Sequence, residues 1–156
     1  MLNTSHTDHQ IQYVTNFQDL VTTPFQGSTN AICWARELIG DFGEIVDQIE
    51  TNDNIVELHP DELHALQLSE QGQLARDILL HDMKLLEAHG ASPTLNLIKY
   101  YERDESHPFF PTDVYSFHVD RAPIAADTIL CTYYGVSVRA SALCFRFRWE
   151  QHLKIL

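Results

Sequence analysis

The spacing of apolar residues changes once along this chain. Up to about residue 90 they recur every three or four positions, and beyond Pro93 they alternate. In "STNAICWARELIGDFGEIVDQIE", residues 28–50, the side chains Ile32, Leu38, Phe42, Ile45 and Ile49 fall on one helical face, which predicts a helix. Thr29 or Asn30 offers a side-chain oxygen to cap its start, and Gly40 and Gly43 weaken it enough to permit a bend. "HPDELHAL" predicts a short helix after Pro60, with Asp61 and Glu62 at its positive end. "SEQGQLARDILLHDMKLLEAHG" predicts a long one. Its apolar stripe is Leu74, Ile78, Leu85 and Leu86 with Ala75 and Leu79 beside them; Ser69 caps it, Gly90 ends it and Pro93 prevents continuation.

The alternating part predicts strands. "TLNLIKYYE", "VYSFHVD" and "TILCTYYG" are rich in branched and aromatic residues, and the loops "RDESHPFFPTD" and "RAPIAAD" separate them. The tail "VSVRASALCFRFRWEQHLKIL" alternates too, with Phe145, Phe147 and Trp149 on one face and Arg146 and Arg148 on the other. Helices first and strands later imply an α+β fold with helices packed on one face of a sheet. A single domain of 156 residues is expected: a loosely held stretch over 1–15, a helical layer over 29–90, a sheet over 93–135 and a divergent tail over 136–156.

Charge adds a boundary that the apolar pattern lacks. Residues 1–134 hold 21 acidic and 6 basic side chains, a balance of -15, whereas residues 135–156 hold 1 acidic and 4 basic, a balance of +3. The formal net charge of -12 argues against nucleic acid or an anionic membrane as partner, since both need clustered Lys and Arg. The N-terminus lacks the basic start and apolar core of a signal peptide, and no run approaches a membrane span. Cys33, Cys131 and Cys144 have no CxxC spacing and are odd in number. They point to a reducing, cytoplasmic setting without a zinc cluster, and Cys131 reads as a small hydrophobe rather than a nucleophile.

One strand carries chemistry in its spacing. In "YSFHVDRAPI", His118 and Asp120 lie two apart, so both point to one face, while Tyr115, Phe117 and Val119 point to the other. Imidazole nitrogen and carboxylate oxygen suit Fe(II), which oxygen-activating enzymes hold with two histidines and one carboxylate on one side of the metal. A strand with an exposed polar face would carry the same tripeptide without any metal. Arg121 follows directly and takes the opposite face.

The order "LNLIKYY", "FHVD", "TILCTYYG" resembles the first half of the double-stranded β-helix of Fe(II)/2-oxoglutarate-dependent dioxygenases. From "AICWARELIGDF" to "LCTYYG", about residues 29–135, the chain also looks like an uncharacterised bacterial family carrying the same HxD segment. The resemblance implies N-terminal helices packed on a partial jelly-roll, cupin-like sheet. It makes His118 and Asp120 metal ligands, brings Tyr100 or Tyr101 towards the 2-oxoglutarate cosubstrate, and implies hydroxylation of a substrate that the sequence does not name.

The family pattern also needs a second histidine downstream and then a basic residue, whose planar fork, when it is arginine, grips the distal carboxylate of 2-oxoglutarate. Beyond Asp120 only His152 and then Lys154 stand in that order. With the charge reversal of the tail, this leads to the expectation of a C-terminally truncated homologue with a partial metal site, its tail the product of a frameshift or early stop. The alternative is a non-catalytic acidic binding or interaction module. His59, His64 and His81 read as solvated helix or loop positions, and His89, in the last turn of its helix, reads as serving the helix C-terminus. Asp104, Glu105, His107 and Asp113 belong to the loop before the HxD strand. No GxSxG, P-loop or dinucleotide fingerprint is present.

Overall fold

The computed structural model describes residues 10–99, 127–135 and 142–148. The chain divides into two compact units, one joining Met1–Leu38 to Arg121–Leu156 and the other formed by Ile39–Asp120. Helices and strands occur in both, so the fold is mixed α and β.

In the first unit, strand β1 (Ile11–Val14), helix α1 (Phe17–Thr22) and strand β2 (Ala31–Arg36) form a parallel crossover, with Ile11 opposite Ala31 and Val14 opposite Trp34. Asn16 caps α1 by accepting a hydrogen bond from Asp19 N at 2.8 Å. Strands β5 (Asp127–Thr132) and β6 (Ala142–Arg148) complete a sheet of order β1-β2-β6-β5 among the described residues. β6 runs antiparallel to both neighbours, pairing Ala31 with Phe147 on one side and Thr128 with Phe147 on the other.

Two expectations are corrected here. Residues 11–14, expected to be loosely held, form strand β1, and residues 31–36, expected to be helical, form β2. Ala31, Ile32 and Cys33 are all buried in consecutive positions. A strand enclosed on both faces shows a continuous apolar run rather than an alternating one, and such a run fits helical spacing equally well. The tail behaves as its alternation suggests: Phe145 and Phe147 share one face and stack at 5.6 Å, with Arg146 on the other. Trp149 lies outside the described residues.

The core of this unit lies on the face that α1 covers. Leu20, Ile32 and Cys144 are buried together, with Val14, Phe17, Phe25, Trp34, Ile129 and Cys131 packed around them. Burying three such side chains contributes on the order of 1.5–3 kcal/mol for each large one.

The second unit contains helix α2 (Phe42–Gln48), strand β3 (Ile55–Leu58), helices α3 (Pro60–Ala65) and α4 (Glu70–Ala88), and strand β4 (Leu95–Ile98). β3 and β4 pair antiparallel, Ile55 with Ile98 and Leu58 with Leu95. The two helices predicted after Pro60 and Ser69 form where expected, Ser69 capping α4 through Gly72 N at 3.2 Å. The helix predicted over 28–50 survives only as α2, which Asp41 caps. The buried side of α4 is also shifted from the predicted stripe. Gly72, Ala75, Leu79, Leu80 and Asp82 face inward, while Leu74 stays 39% exposed. Charge and small size at Asp82 and Gly72 hid this side from a count of large apolar residues.

α2 and α4 are joined through polar groups. The Glu44 carboxylate accepts from Ser69 N at 2.7 Å and from Ser69 Oγ at 2.6 Å, so an α2 side chain fixes the cap of α4. Gly40 adopts φ +102°, and a Cβ there would stand 2.6 Å from Ala75 N and 2.7 Å from Gln71 O. Only a residue without a side chain lets Asp41 N reach Gln71 O at 2.9 Å.

Candidate functional site

The residues singled out for metal and cosubstrate, His118, Asp120, Tyr100 and Tyr101, lie outside the described residues, as do His152 and Lys154. The described strands nearest in sequence to Tyr100 and Asp120 are β4 and β5. β4 ends at Ile98, two positions before Tyr100, and β5 begins at Asp127, seven after Asp120. β5 is the strand expected from "TILCTYYG". Its six residues pair in continuous register with β6.

Three polar groupings stand out in the described residues. The first surrounds Arg36, at the end of β2. Its guanidinium lies 4.3 Å from the ring centre of Trp34 and 6.0 Å from that of Tyr133, the tyrosine following β5. A cation between two π faces is held in place and partly desolvated. This trio was not legible in sequence because Trp34 and Arg36 were assigned to a helix, where residues two apart diverge.

The second grouping surrounds Arg146, which is only 5% exposed. It donates to the carbonyls of Val21 and Thr23 at the end of α1, stands 4.9 Å from the Phe25 ring, and approaches Asp127 at 3.6 Å. Helix C-termini leave carbonyls without intrahelical partners, and a cation complements them in charge and hydrogen bonding. This arginine is therefore committed to joining β6 to α1.

The third is a hollow of about 340 Å³ in the second unit, lined by Pro60 and His64 of α3 and by Asp77, Leu80, His81 and Lys84 of α4 among others. His64 and His81 are exposed, in keeping with the solvated placement expected for them. Among the described residues no group of three or more His, Cys, Asp or Glu side chains is arranged to hold a metal ion.

The cysteines depart from expectation. Cys131 and Cys144 form a disulfide, and Cys33 remains a buried thiol whose pKa burial pushes upward. An odd count thus reflects one pair and one remainder. The sequence separation of 13 holds no pairing signal, since the register of β5 on β6 brings the two together.

Comparison with protein families, with curated proteins and with solved structures finds no match. Among the described residues no helix is long and apolar enough to cross a membrane.

Proposed function

We propose that this chain is a non-haem Fe(II)/2-oxoglutarate oxygenase-like protein in which His118 and Asp120 bind the divalent metal. The observation that carries the reading is the i, i+2 spacing of imidazole and carboxylate in "YSFHVDRAPI", directly before the strand Asp127–Thr132. Alternation along a strand delivers both donors to one side, and their N and O atoms suit a borderline-hard cation such as Fe(II). In this reading the strands belong to a partial double-stranded β-helix, and Tyr100 or Tyr101 borders the 2-oxoglutarate. When bound, iron and 2-oxoglutarate supply oxygen activation coupled to decarboxylation to succinate, and a substrate C–H bond is hydroxylated. The protein's part is to hold the metal, orient the cosubstrate and limit water.

Anaerobic calorimetric titration with Fe(II) or Mn(II), with and without 2-oxoglutarate, tests this. Micromolar binding is expected. In His118→Ala and in Asp120→Ala the loss should exceed the roughly 10–100-fold that removal of an outer-shell partner costs. Absence of binding in a folded sample overturns the reading and leaves an acidic interaction module.

A further inference from the structure

We infer that Cys131 and Cys144 form a redox-responsive clasp that holds strand β5, terminal in the sheet among the described residues, to β6 and is opened by a dithiol reductant attacking from the Cys131 side. The two residues are direct partners in the antiparallel register, with Cα atoms 4.1 Å apart. That spacing marks a narrow, non-hydrogen-bonded position, where opposed side chains are closest and no ladder hydrogen bond is exchanged. The sulfur bridge therefore supplements the backbone ladder, and breaking it leaves that ladder able to form.

The setting makes opening directional and consequential. Cys144 sits on the interior strand at 1% exposure, whereas Cys131 is only partly buried. A thiolate from solvent reaches the Cys131 sulfur first. It forms a mixed disulfide with Cys131 and expels Cys144 as a thiolate, which takes up a proton. The second thiol of the reductant then attacks its own sulfur in the mixed disulfide and releases Cys131, which is protonated in turn. One protein S–S bond breaks and one reductant S–S bond forms, a two-electron exchange. Afterwards β5 is held by its pairing to β6, by the packing of Ile129 and by the Asp127–Arg146 ion pair at 3.6 Å.

Cys33 does not compete. It pairs with Phe145, one position from Cys144, so strand alternation puts its sulfur on the opposite face of the sheet. It is fully buried, and burial disfavours its thiolate, the form that would attack a disulfide.

The full chain, equilibrated with glutathione disulfide and freed of excess, provides the test by alkylation, intact mass and hydrogen exchange. Without reductant the folded protein should take no label, and the denatured protein one, at Cys33. After dithiothreitol treatment under folding conditions the folded protein should take label at the partly buried Cys131, and the same sample, once denatured, should take three, with the buried Cys144 and Cys33 added. Exchange of the β5 amides should then accelerate at least tenfold, while those of α4 stay unchanged. Cys33→Ser should preserve the whole response, and Cys131→Ser/Cys144→Ser should show the fast β5 exchange without reductant. Three labelled sites in the denatured, oxidised sample, or β5 exchange indifferent to reduction, would overturn the inference.

Discussion

Strand β6 and helix α4 are each central to their own unit, yet they depend on the chain in opposite ways. β6 pairs with β2, whose residues lie more than 100 positions earlier. α4 packs with α2 and α3, both within the preceding few turns of chain. One element is specified by distant partners and the other by its own sequence and near neighbours. Closing a long loop costs entropy before any contact is gained, so the pairing of β2 with β6 must offset a larger closure cost than the packing of α4 on its near neighbours. The helical unit is stabilised by caps, close glycines and local polar ties.

Substitutions can break or sharpen that contrast. The largest effect is expected at Gly40→Ala, which combines a backbone conformation unfavourable to side chains with a Cβ driven into the α4 backbone. The cost should be about 4 kcal/mol, read by denaturant unfolding and by lost exchange protection in α4. Near-wild-type stability would show that the second unit does not rest on this close approach. Ile32→Ala comes next, at about 3 kcal/mol for a large side chain emptied from a core. Ile32 is 0% exposed, and protection should fall in β2 and β6 together, because the sheet core is shared across partners far apart in sequence. Loss confined to β2 would contradict the shared core.

Ser69→Ala should be the mildest, about 1 kcal/mol for a lost helix cap. It removes the Oγ that donates to Glu44 and accepts from Gly72 N, so fraying of the first turn of α4 is the measurement. An equal cost after Glu44→Gln, with the double variant no worse than either alone, would identify the pair as one coupled unit.

Recovery of the fold from sequence follows the same division. α3 and α4 were legible because their start and stop signals, Pro60, Ser69 and Gly90, act within a turn of the helix they bound. β4, β5 and β6 were legible from alternation. β2 was not, since a strand buried on both faces erases alternation, and β1 has only four residues with no distinctive pattern. The positively charged tail, set apart by composition, turned out to supply the strand between β2 and β5. Its Arg146 is neither a solvated charge nor a misplaced one. It satisfies the carbonyls of a helix more than 100 residues upstream.

For the candidate chemistry, the HxD spacing is a property of sequence alone, because alternation sets which side chains share a strand face. The Cys131–Cys144 bridge and the Trp34–Arg36–Tyr133 trio are properties of tertiary structure. Their members come together only when separate strands choose a register. Local caps and periodicity act over a few residues and are written in order along the chain. Strand pairing is selected by burial summed over a whole sheet, and no short stretch of sequence carries that sum.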